Sequence, residues 1–297
     1  MLARVKVLLA HDGSAEADVA RALVGSLAWA PGTIVRVVGV IEPVPADLEL
    51  PPEAHAALKA ALERETARRL EDVAAGLRER GLAVDVVARV GRPASVIVDE
   101  ASRSGAALVV VGSRGRGAIA RTLLGSVAAE VIDHAPCPVL VARGPAIRRA
   151  LLAEDGSAPA RAAAQLLSEW PALRGLPVHV VSVLPLRLES TSDPTEHHAT
   201  ADPREAAAVD RAREASRALA HQTAARLAAE GLDAHYAVRA GDVAGELVQA
   251  ACEFGADVIA MGTRGRTGLE RLFLGSVARK VLYSAGCSVL VVRGASR

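Results

Sequence analysis

One glycine pattern occurs twice in this chain, as Gly112-x2-Gly115-x9-Gly125-Ser126 and, 150 residues later, as Gly262-x2-Gly265-x9-Gly275-Ser276. Each copy follows a short apolar run (107–111 and 257–261) and precedes an apolar segment of helical period, which places each loop between a strand and a helix. That arrangement suits an anion. Glycine lets the backbone approach a phosphate closely, and the first amides of the following helix point outward at the positive end of its dipole.

The duplication extends past the glycines. Gly81-Leu82 recurs as Gly231-Leu232, Gly91 as Gly241 and Gly105-Ala106 as Gly255-Ala256, all at the same spacing. Near the start the spacing is 143, where Leu8-Leu9-Ala10-His11-Asp12-Gly13-Ser14 matches Leu151-Leu152-Ala153-Glu154-Asp155-Gly156-Ser157. The polar stretch 189–198 accommodates the extra residues of the second half as an exposed loop. A turn at Gly144-Pro145-Ala146 divides the chain into domains 1–143 and 147–297.

In the first half the pattern predicts strands at 5–10, 35–41, 84–90, 108–111 and 139–142, and helices at 15–29, 52–80, 93–104 and 126–134. Gly81 reads as a C-terminal glycine and Pro93 as a first-turn proline. The strands are runs of Val and Leu without polar alternation, which a sheet covered on both faces requires. The expectation is an α/β fold of two tandem doubly wound domains, each a five-stranded parallel sheet flanked by helices and Rossmann-like, with any ligand at the carboxyl ends of the strands.

Composition removes several functions. With 297 residues, 51% of them hydrophobic, the chain can build two cores. Its apolar runs are too short to span a membrane and its start leads directly into a strand, so the reading is cytoplasmic. A net charge of +1 and an aromatic content of 2% argue against nucleic acid as a partner. Cys137, Cys252 and Cys287 form no C-x-x-C pair, and Cys137 and Cys287, at equivalent places before each last strand, read as packing residues. Lysine occurs only at 6, 59 and 280, so neither loop is a phosphate loop of the G-x4-G-K-[ST] type.

Asp12 ends the first strand and the glycine loop follows the fourth, so both converge on one crevice. Asp12 and Asp155 could accept from a nucleoside or hold a metal; equally, Asp12-Gly13-Ser14 and Asp155-Gly156-Ser157 are the residues of a turn and helix cap. Arg114, Arg116, Arg264 and Arg266 could pair with phosphate oxygens or be solvated, and Ser126 and Ser276 could serve a phosphate or cap the last helix. The match of 115–120 to the dinucleotide fingerprint is accidental, since it follows the fourth strand and its counterpart breaks the pattern. His197 and His198 beside Asp193 and Glu196 form a histidine-acid group in one half only, which argues against a metal site.

The loop motif, the strand-ending Asp and the closing Pro-Cys-Pro-Val-Leu-Val at 136–141 together resemble the universal stress protein family, over nearly the whole chain and twice. The chain is similar to the tandem members and to the ATP-binding branch. The resemblance implies domains that pair through their last strands about a pseudo-two-fold axis, and ATP as ligand, with Mg or Mn accompanying it. It places Ala10, His11, Asp12 and Val40 around adenosine in the first half, with Val111, Gly112, Arg114, Gly115, Gly125, Ser126 and Val127 along ribose and phosphates. In the second half it places Ala153, Glu154, Asp155 and Val183, then Met261, Gly262, Arg264, Gly265, Gly275, Ser276 and Val277. Glu154 stands where the first half has His11 and would add negative charge beside the nucleotide.

The leading reading is an ATP-binding regulator of the stress response with little or no turnover. Neither loop contains a lysine or histidine, and the only carboxylate in either, Glu270, is matched by Ala120. The alternatives are a slow metal-dependent ATPase or nucleotidyl transferase, and a scaffold with vestigial sites. A homodimer would need a surface beyond the last strands, which the two domains already use on each other.

Overall fold

A computed structural model describes residues 6–44, 51–115, 124–171, 174–185, 203–263 and 274–293. The first half runs β1 (Lys6–Ala10), α1 (Ala15–Ser26), β2 (Ile34–Ile41), α2 (Pro52–Arg78), β3 (Ala83–Val90), α3 (Pro93–Ser104), β4 (Leu108–Gly112), α4 (Ser126–His134) and β5 (Val139–Ala142). The second repeats it as β6 (Ala150–Ala153), α5 (Ala158–Glu169), β7 (Pro177–Pro185), α6 (Pro203–Ala229), β8 (Asp233–Gly241), α7 (Val243–Phe254), β9 (Val258–Gly262), α8 (Ser276–Ser284) and β10 (Ser288–Val292).

The ten strands form one sheet in the order β3-β2-β1-β4-β5-β10-β9-β6-β7-β8. Every pairing is parallel except β5 with β10, where Val139, Leu140 and Val141 face Val291, Leu290 and Val289. The two five-stranded sheets are thus halves of one, joined at their last strands. The side-chain alternation of the pleat sorts the apolar runs into two cores. Val7, Leu9, Leu140 and Leu290 pack under α1, α2, α5 and α6 with Leu23, Leu70, Leu167 and Leu227. Leu8, Val109, Val139 and Val289 pack under α3, α4, α7 and α8 with Ile97, Ile132, Leu247 and Leu282. Both layers cross the seam and include residues of both halves.

Helix ends differ from the periodic reading where packing outlasts the helix. The first helix stops at Ser26, yet the apolar pattern continues because Leu27 is buried and Trp29 folds back to donate from Nε1 to the Val24 carbonyl at 2.8 Å. Gly81 takes φ +82° and donates to the Arg78 carbonyl at 2.8 Å, closing the end of α2 in a conformation that favours glycine. Burial pushes the Cys137 thiol up to about 11, as suits a packing cysteine rather than a nucleophile.

Candidate functional site

The crevice is built from two turns that leave adjacent parallel strands, β1 and β4. The first turn carries the pairing with β2 one step further, since His11 N–H donates to the Val38 carbonyl at 2.9 Å. The chain then reverses at Gly13, whose φ of +85° a side chain would oppose. Asp12 Oδ1 accepts from Ser14 N–H at 2.9 Å and from Ser14 Oγ–H at 2.6 Å, and Ser14 Oγ caps α1 by accepting from Ala17 N–H at 3.2 Å. In the second half, Asp155 Oδ1 accepts from Ser157 N–H and Ser157 caps α5 through Ala160 N–H. The turn-and-cap role is therefore real, and it leaves the other carboxylate oxygen of Asp12 facing the glycine loop. A Cβ on Gly115 would lie 2.8 Å from Asp12 Oδ2.

The three glycines of the loop do different work. A Cβ on Gly112 would come within 2.8 Å of the Glu16 carbonyl group and 3.0 Å of Ala17 N, and one on Gly262 within 2.6 Å of Pro159 Cβ. The first glycine thus lets the strand end touch the first turn of the facing helix. The second makes room beside Asp12. The third, Gly125, caps α4 without a side chain and donates to the Ser113 carbonyl at 2.7 Å, closing the loop at its base. Gly275 does the same for α8, donating to Thr263 at 2.8 Å.

The consequence is at the helix N-termini. Whereas α1 and α5 are capped by Ser14 and Ser157, α4 and α8 have no side-chain cap, because Ser126 and Ser276 are their first helical residues rather than their caps. Of the two roles open to these serines, capping is not the one they occupy. Both are exposed on the first turn, at the positive end of each helix dipole, and the glycine at each cap position has no side chain to answer the first amides.

Arg114 Nη2 pairs with Glu16 Oε1 at 2.7 Å, drawing the guanidinium toward α1. That pair lines a cavity of about 310 Å³ which also includes Val19, Ala142, Arg143 and, across the seam, Gly286. His11 and Glu154, at matching positions after β1 and β6, are both buried. The His11 imidazole is buried beneath α1, its Nε2 3.5 Å from Asp18 Oδ1, and neither ring nitrogen has a hydrogen bond among the described residues. Burial pushes its pKa down, and the Asp18 and Asp12 charges only partly offset this. Glu154 is buried too, but satisfied: it accepts from Gly156 N–H at 2.7 Å and Thr223 Oγ–H at 3.0 Å. Its carboxylate is thus tied to the turn after β6 on one side and to α6 on the other.

Of the expected residues, Ala10, Asp12, Gly112, Arg114, Gly115, Gly125, Ser126 and Val127 gather at one end of the sheet, with Val40 half-buried at the end of β2 and Val111 buried in β4. Ala153, Asp155, Val183, Met261, Gly262, Gly275, Ser276 and Val277 repeat this at the opposite end. Arg264, Gly265, Arg266, Arg116 and the 193–198 histidine-acid group lie outside the described residues. Sequence reading missed Ser113 and Thr263, which close the loops through backbone carbonyls and so leave no side-chain signal. It also missed Glu16, whose role depends on α1 lying against the end of β4. Among the described residues no group of three or more His, Cys, Asp or Glu side chains is placed to hold a metal ion, and no helix is long and apolar enough to cross a membrane.

The universal stress protein family profile matches residues 4–143 and again 146–293. A universal stress protein of Mycolicibacterium smegmatis is 30% identical over 97% of this chain and 96% of its own length. One from Thermus aquaticus is 41% identical over 46% of this chain and 97% of its own, the length of a single half. A universal stress protein from Archaeoglobus fulgidus shares the fold with a TM-score of 0.65 at 19% identity, each chain covered over 98% of its length, and one described as a putative universal stress protein from Pseudomonas aeruginosa gives 0.64. With two copies of the family domain spanning it, in one continuous sheet, the chain belongs to the universal stress protein family.

Proposed function

We propose that this chain is an ATP-binding regulatory protein of the stress response, with a nucleotide site in each half and little or no turnover. The observation that carries the reading is the pair of uncapped N-termini of α4 and α8, each entered through a glycine and opening on a crevice at the carboxyl ends of the strands. Backbone amides there would take the phosphates. The exposed hydroxyls of Ser126 and Ser276 would add donors, and the Asp12 carboxylate beside Gly115 would accept from ribose or face a divalent cation carried with the phosphates.

Because neither loop contains a lysine, the charge that meets the phosphates would come from the helix dipoles, arginine and the cation. A regulator fits better than an enzyme, because the loops offer no shared general base. Titration of the full chain with ATP and Mg²⁺ by calorimetry tests the reading. Wild type should bind about two ATP per chain, and Gly115→Val and Gly265→Val should each remove one. No binding at all would leave a scaffold.

A further inference from the structure

The two glycine loops carry an arginine at the same place in the sequence, Arg114 and Arg264, but the helix after the first strand of each half does not carry the same residue. In the first half the second residue of α1 is Glu16, and its carboxylate holds Arg114 at 2.7 Å. In the second half the matching residue of α5, 143 positions on, is Pro159, which has no charge to offer.

We propose that Glu16 is a latch: it holds the Arg114 guanidinium against α1, on the seam side of the loop, and so weakens the first site toward the phosphates of a nucleotide, whereas the matching position of the second half, Pro159, carries no carboxylate. The inference rests on the nucleotide reading above and deepens it. Three observations support it. The backbone beside Arg114 is tied at the base of the loop, where Gly125 N–H donates to the Ser113 carbonyl at 2.7 Å, so the side chain is the part with freedom to move. The side chain has room, because the pair borders the seam cavity of about 310 Å³. And the guanidinium has a reason to leave if Glu16 is neutral: Arg143 lines the same cavity, close enough that the two positive charges act on each other. Carboxylate and phosphate compete for the same planar donor set, so a polyphosphate must displace Glu16 to gain Arg114. Glu16 is a positioning residue, acting on the ligand through Arg114.

Adenosine, which has no phosphates, separates this role from a structural one. In a chain carrying Gly265→Val to remove the second site, calorimetry with ATP and with adenosine compares Glu16→Gln, Glu16→Asp, Arg114→Met and Glu16→Gln with Arg114→Met. Glu16→Gln should tighten ATP about two- to fivefold, the scale of a partly exposed ion pair, and leave adenosine unchanged. Glu16→Asp should restore wild-type ATP affinity to within about twofold. The gain should disappear when Arg114 is Met. ATP binding unchanged or weakened by Glu16→Gln, an equal gain for adenosine, or a gain that survives in the Arg114→Met chain would overturn the latch while leaving the nucleotide site standing. Absence of ATP binding in every variant would overturn both.

Discussion

At the scale of single residues, identical glycines are needed for unlike reasons. Gly112 has an ordinary φ, so its requirement is steric: a methyl group there meets the backbone of Glu16 and Ala17, which cannot rotate away. Gly112→Ala should therefore cost about 1–3 kcal/mol of stability, read as a lower urea midpoint with no change in slope. His11 supplies a second residue-scale prediction. Its folded pKa lies below the ordinary value, so as the pH falls through about 6.5 the unfolded chain takes a proton that the folded chain refuses, and stability declines toward acid. The pH dependence of the urea midpoint between about pH 7.5 and pH 5.5 should thus be shallower in His11→Asn than in wild type. His179, packed on Phe254 at 4.8 Å and also shifted down by burial, contributes in the same direction and remains in the variant.

At the scale of elements, the contrast is between helices that satisfy their own first turn and helices that do not. The amides of α1 are answered by Ser14, those of α4 by nothing on its cap residue. Gly125 has φ −80° and ψ 156°, which any residue can adopt, so a capping side chain is conformationally permitted there. Gly125→Asp should cap α4 for about 1 kcal/mol, partly offset by crowding against the Arg114 backbone, and should abolish ATP binding in the first half by placing a carboxylate where phosphate belongs. Thermal stability held near wild type with stoichiometry reduced by one ATP is the expected pair of results. A large loss of stability would mean the cap position is constrained by packing instead.

At the scale of the whole molecule, the seam is a reciprocal clamp. Arg143, following β5, donates to the carbonyls of Leu282 at 2.5 Å and Cys287 at 3.2 Å. Arg293, its equivalent after β10, donates to Ile132 at 2.7 Å and to Asp133. Each guanidinium thus meets the C-terminal end of the last helix in the other half, where the dipole is negative. Trp29 and Trp170 add an aromatic contact between the halves, with ring centroids 5.6 Å apart. Arg143→Met with Arg293→Met leaves those carbonyls unanswered, and should cost about 2–5 kcal/mol and separate the unfolding of the two halves. Because both tryptophans of the chain meet in this contact, intrinsic fluorescence should change when the halves part, before far-ultraviolet circular dichroism reports loss of helix.

Local chemistry determined a large part of this protein. The Val and Leu runs, the glycine at the end of α2 and the 150-residue repeat dictated element order, a doubly covered parallel sheet and two like crevices, because each of these is a property of neighbours along the chain. Tertiary structure decided the rest. That β5 and β10 pair antiparallel and fuse two sheets into one depends on which edges meet. That Gly112 lets a strand end touch a helix turn, that Glu154 is buried and accepts from Thr223 of α6, and that Glu16 pairs with Arg114 all arise between residues far apart in sequence. Their energies come from contact and burial across elements, for which spacing along one segment carries no record.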